Sequence, residues 1–151
     1  MKTLILGAAL VAMTTAAHGQ TVTTCERWEA NARNLVEPWQ DNTRTFANGA
    51  VRITAIDTTE PAAGAFHLLI MSPPYGELGD RQCRMVSNGA VGFSGIDFGS
   101  ITAEYDPAYG LGLDMFVQVY DPDSGGFDGR GLGLTINQAS GEILANLYFV
   151  D

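Results

Sequence analysis

Leu111-Gly112-Leu113-Asp114-Met115-Phe116-Val117-Gln118-Val119-Tyr120 is the stretch on which the fold turns. Its odd-numbered positions are all apolar, and its even-numbered positions are glycine, acidic, amide or aromatic. That period of two is the signature of a β-strand with one dry face and one face of different character. Asp106-Pro107-Ala108-Tyr109-Gly110 precedes it as a turn, and the Gly/Asp-rich Asp121–Gly129 follows as a loop. Arg130–Asn137 and Glu142–Val150 then form two further strands joined through Gln138-Ala139-Ser140-Gly141. The last strand is apolar on both parities, which predicts that both its faces are covered.

Upstream, the same alternation recurs. Asn48-Gly49 and Asn88-Gly89 are hairpin signals. Val51, Ile53 and Ala55 share one face, as do Phe66, Leu68 and Ile70, with His67 on the opposite side. Pro73-Pro74 predicts a loop over Ser72–Asp80. The parity of Val91–Tyr105 changes at Gly99-Ser100, which predicts a bulge or a break there. Before residue 39 the period is helical instead. Thr23-x-x-Glu26 matches a capping box, and Cys25, Trp28, Ala32 and Leu35 fall on one face of a helix bounded by Pro38, with Glu29–Arg33 as an outer ion pair. The expectation is a mainly β (α+β) fold. A disulfide-tethered N-terminal helix covers an antiparallel meander of about eight strands, curved strongly or closed into a small barrel.

The chain has 151 residues, 17 Asp and Glu against 8 Lys and Arg, and a net charge of −9. That length suits one domain, and the absence of a basic footprint argues against a nucleic-acid partner. Met1-Lys2, the apolar run Leu4–Met13 and the exit Ala17-His18-Gly19 read as a secretory signal peptide over residues 1–19, cut before Gln20. Ten apolar residues span about 15 Å as a helix, half of a ~30 Å hydrocarbon core, so a membrane anchor is disfavoured. The exported domain, residues 20–151, then has no lysine, seven arginines and a net charge of −10. Arginine without lysine, beside abundant Ala and Gly, points to a GC-rich bacterial genome. Periplasmic or extracellular residence follows, with no stable membrane insertion. Export puts Cys25 and Cys83 in an oxidising compartment, where they are expected to form one structural disulfide.

Few residues are equipped for catalysis. His67 is the sole histidine of the exported domain. A serine triad would need it, with Ser72, Ser87, Ser94, Ser100, Ser124 or Ser140 as nucleophile, and no Gly-x-Ser-x-Gly elbow is present. Asp121, Asp123 and Asp128 lie on a glycine-rich loop that partly matches a calcium loop, yet position 12 is Leu132 where a bidentate Glu belongs. The plainer reading of that loop is an acidic hairpin turn. Gly129-x-Gly131-x-Gly133 runs into a strand, so it is no dinucleotide fingerprint; it suits tight curvature or close packing. Phe116, Tyr120 and Tyr148 share a strand parity, with Tyr75 and Tyr109 in loops. These rings either form a second small core under the helix or line a groove for a ligand. The leading expectation is an exported, soluble, non-enzymatic binding module of the bacterial envelope, with a protein or small ligand as partner. The alternatives are a carboxylate-type or metal-assisted hydrolase drawing on Glu104, Asp106, Asp114 or the Asp121–Asp128 loop, and a small outer-membrane barrel.

Overall fold

The computed structural model describes residues 20–150, so the signal-peptide expectation for residues 1–19 lies outside the described residues. Among the described residues nine strands form two antiparallel sheets. β1 (Thr21–Thr24), β2 (Thr43–Phe46), β3 (Val51–Asp57), β4 (Phe66–Tyr75) and β5 (Arg81–Ser87) make the first, in the order β1-β5-β4-β3-β2. β6 (Gly95–Asp106), β7 (Gly110–Asp121), β8 (Gly126–Ile136) and β9 (Ile143–Tyr148) make the second, a simple meander. The decisive alternation holds throughout β7: Leu111, Leu113, Met115, Val117 and Val119 are buried. They share one core with Ile53, Leu68, Ile70 and Val86 of the first sheet and with Leu132, Leu134 and Ile136 of β8. The two sheets therefore pack face to face as a sandwich.

This corrects the single curved sheet and the closed barrel. Among the described residues no strand pairing joins the edges of the two sheets into a ring. Side chains fasten the seams instead. The backbone N–H of Leu147 on β9 donates to Gln20 Oε1 at 2.8 Å, just ahead of β1. On the opposite edge, the Arg44 guanidinium of β2 lies 6.0 Å from the centroid of the Phe98 ring on β6. The turn at Asn88-Gly89 forms, with Gly89 at φ 64°, but it does not join neighbours of one sheet. It sends the chain across to the second layer. Phe93 exchanges two backbone hydrogen bonds with Phe66 at the start of β4, and the next amide, Ser94 N–H, donates to Gln118 O of β7 at 2.8 Å. Adjacent residues thus bond to different sheets. A Cβ on Gly92 would collide with the carbonyl oxygens of Phe66 and Gly64, so this crossing requires glycine.

The N-terminal helix does not form. Thr21–Thr24 is a strand in register with β5, Thr21 opposite Ser87 and Thr24 opposite Arg84. Cys25 and Cys83 continue that register and are disulfide-bonded with Cα atoms 5.5 Å apart. Only two 3-10 turns follow, Trp28–Ala30 and Ala32–Asn34. Topology explains the departure. β1 and β2 are opposite edges of one sheet, so the chain between them must cross the outer faces of β5, β4 and β3. The disulfide fixes one end of this link, and Val36 N–H donating to Ala55 O fixes the other. A short helix is marginal on its own and loses to those two anchors. Trp28, expected to face inward, is exposed, and Glu29 pairs with Arg27 at 2.7 Å rather than with Arg33.

Two smaller expectations change, and the choice between a bulge and a break at Gly99-Ser100 resolves. Pro73-Pro74 lies inside β4, at a register shift between Ser72 and Tyr75 beyond the reach of β3. The irregularity at Gly99-Ser100 is a wide bulge within one strand, with Phe98–Ile101 set against Met115 alone. The last strand is covered on one face only: Ile143 is buried, while Leu144 and Tyr148 are exposed.

Candidate functional site: the outer face of the second sheet

The link from β1 to β2 covers the first sheet, so its outer face is a second small core. Ile56, Leu69 and Met85 are buried there, and so are Glu29, Thr54, His67 and Ser87. His67 Nδ1 and Ser87 Oγ share a hydrogen bond at 2.7 Å. Ser87 is thus the serine that the fold brings to the histidine. Both are buried beneath the link, so no substrate reaches the pair, and it serves to satisfy polar groups within a covered layer. Burial is the main force holding the His67 pKa below its ordinary 6.5; Glu29 and Asp57 oppose it.

A neutral histidine in the fold means that the unfolded chain binds the proton more tightly. The contribution to stability is full above pH 6.5 and is lost as pH falls through the lower folded value. Urea melts between about pH 7.5 and pH 5 should show stability falling, and His67→Gln should flatten that slope. Identical slopes in both proteins would contradict the assignment. Glu29, whose pKa the Arg27 hydrogen bond lowers, adds a separate loss below 4.5.

Among the described residues no such cover lies over the second sheet. Asp114, Phe116, Gln118 and Tyr120 of β7 point outward, beside the glycines 129, 131 and 133 of β8. Phe116, Gly131 and Tyr148 stand in one cross-strand row, and Asp114, Gly133 and Asn146 in the next. The glycines make room for the rings. A Cβ at Gly129 would come within 2.6 Å of Phe116 Cζ, and one at Gly131 would strike the Tyr148 ring. Tyr148 spans β8 so completely that its hydroxyl donates to Asp114 Oδ1 on β7 at 3.0 Å, a bond that raises the tyrosine pKa. The rings of Tyr120 and Phe127 meet edge to face, centroids 6.1 Å apart. Phe116 is 38% exposed, Tyr148 41%, Tyr120 44% and Phe127 57%, so this face is open. The bulge in β6 also serves it: Ser100 Oγ donates to Asp97 O and accepts from Phe116 N–H, both at 2.8 Å.

The expected rings Phe116, Tyr120 and Tyr148 therefore share one exposed surface. Asp114, on the parity of Phe116, belongs to it as well, and Ser100 and Phe127 join it through the β6 bulge and the β7–β8 register, which alternation alone does not give. Tyr109 flanks its far end, in a hollow with Glu104 and Asp106, whereas Tyr75 ends β4 in the first sheet.

The acidic loop proves shorter than expected, because β7 and β8 extend into it and leave Pro122–Gly125 as the turn. Asp121 accepts the backbone N–H groups of Asp123 and Ser124, and hydrogen bonding from Ser124 leads the causes that lower its pKa. Asp128 binds Arg130 at 2.8 Å. Among the described residues no three His, Cys, Asp or Glu side chains gather within reach of one metal ion. No family model, curated protein or solved structure matches this chain.

Proposed function

We propose that the chain is an exported binding module that engages its partner through the outer face of the second sheet. The observation that carries this reading is the glycine-backed aromatic surface. Gly129 and Gly131, on alternate positions of β8, leave the sheet without side chains where Phe116 and Tyr148 lie, at a cost in strand propensity. The rings are supported from below, yet two-fifths exposed above. Pre-placed aromatic area loses little side-chain freedom on binding, which suits a recognition surface. Export is supported by the Cys25–Cys83 bond, which is stable in oxidising compartments. Among the described residues no helix is long and apolar enough to cross a membrane. A binding role over a serine-triad hydrolase is supported by the burial of the His67–Ser87 pair.

The test is affinity capture from envelope extract with the wild-type domain and with Phe116→Ser/Tyr148→Ser, both first shown to melt cooperatively. The expected result is a defined partner recovered by the first and lost by the second. Equal recovery by both proteins would contradict the proposal.

A further inference from the structure

The fold sorts charge as well as shape. Residues 20–94, which build the first sheet and its link, carry eight carboxylates against six arginines. Residues 95–150, which build the second sheet, carry eight carboxylates against one arginine. That arginine, Arg130, is engaged by Asp128 at 2.8 Å and lies 4.2 Å from the centroid of the Phe149 ring. The open aromatic face is therefore also the strongly anionic half of the molecule.

Ring and carboxylate come together at three places on that face. Asp97 and Phe116 line a hollow of about 300 Å³ next to Gly95. Asp114 lies with Phe116 and Tyr148 in a second, of about 240 Å³. Glu104 and Asp106 flank Tyr109 in a third, of about 260 Å³. Asp97, Asp106 and Asp114 each use Oδ1 on a neighbouring N–H or hydroxyl, which leaves the second oxygen for a ligand. No arginine lines any of the three.

An aromatic face beside a carboxylate holds an organic cation through the ring quadrupole and the full charge together. A calcium ion would instead demand six or more oxygens. Outward positions on β7 repeat about every 7 Å, the same repeat as side chains on one face of an extended peptide. We propose that this face docks an extended basic segment of a partner protein, seating Lys or Arg side chains in the three hollows. The proposal rests on the reading of this face as the binding surface and adds the chemistry of the occupant.

Backbone amide shift mapping by NMR tests it, with hexa-arginine and hexalysine as the probes. Shifts should centre on Asp97, Asp114, Phe116 and Tyr148. Asp114→Asn, whose amide oxygen can still accept from the Tyr148 hydroxyl, should weaken binding roughly three- to fivefold. Raising NaCl from about 0.05 M to about 0.5 M should weaken it about tenfold. Glu77→Gln/Asp80→Asn, on the β4–β5 turn, should leave it unchanged. Shifts spread evenly over both sheets, or equal losses from Asp114→Asn and Glu77→Gln/Asp80→Asn, would overturn the proposal as diffuse polyanion behaviour. Shifts on this face from uncharged cellohexaose but not from hexa-arginine would overturn the cationic occupant while leaving the face as the binding surface.

Discussion

Replacing Cys25 and Cys83 together by alanine should lower the unfolding free energy by about 4 kcal/mol, the loop-closure value for a bridge of this span. The two cysteines are 58 residues apart in sequence, Cys25 directly after β1 and Cys83 in the neighbouring β5. The bond therefore closes a loop that holds the β1–β2 link, β2, β3, β4 and the first residues of β5. It also anchors the link at the point where it starts over the first sheet. Urea melts of the two proteins measure the difference. Hydrogen exchange should further show the link amides, such as Leu35 N–H on Ala32 O and Val36 N–H on Ala55 O, losing protection ahead of the strands around the shared core. A loss below about 1 kcal/mol would mean that strand pairing and the second small core hold the link without the bond.

Phe93→Ala should cost about 3–5 kcal/mol, the usual range for emptying a fully buried phenylalanine site. Phe93 has no exposed surface, and its main chain bonds to β4 while the next residue bonds to β7. The side chain thus fills the core at the place where the chain passes from one layer to the other. Ile96→Ala is a useful comparison, since Ile96 is only partly buried against the same core. Its cost should fall well below that of Phe93→Ala in the same denaturant series. Equal costs would show that the crossing is not a special point of the core.

Local alternation told most of the β story. β7 was legible because five alternating apolar residues settle both its strand character and its inward face. The bulge near Gly99 was legible because parity changes there. What failed depended on partners distant in sequence. Thr23-x-x-Glu26 is a sound capping box on its own, yet Thr23 pairs with Met85 in β5, and pairing outweighs a short helix. Asn88-Gly89 turns the chain as expected, but nothing near it says that the next strand belongs to another layer. At the candidate site, parity grouped Phe116, Tyr120 and Tyr148 correctly. The purpose of Gly129 and Gly131 emerges only once Phe116 and Tyr148 are seen lying over them from the flanking strands. His67 was readable as a strand residue facing away from the core, whereas its bond to Ser87 required the β4–β5 register.

Site-resolved photo-crosslinking in the living cell tests the central claim most directly. Benzoylphenylalanine at position 116 reports on the outer face of the second sheet, and the same group at position 75, where Tyr75 is exposed at the end of β4, reports on the first. A discrete crosslinked species from position 116 and none from position 75 is the expected result. Crosslinks from position 75 with none from position 116 would contradict the assignment of the aromatic face as the surface through which this protein acts.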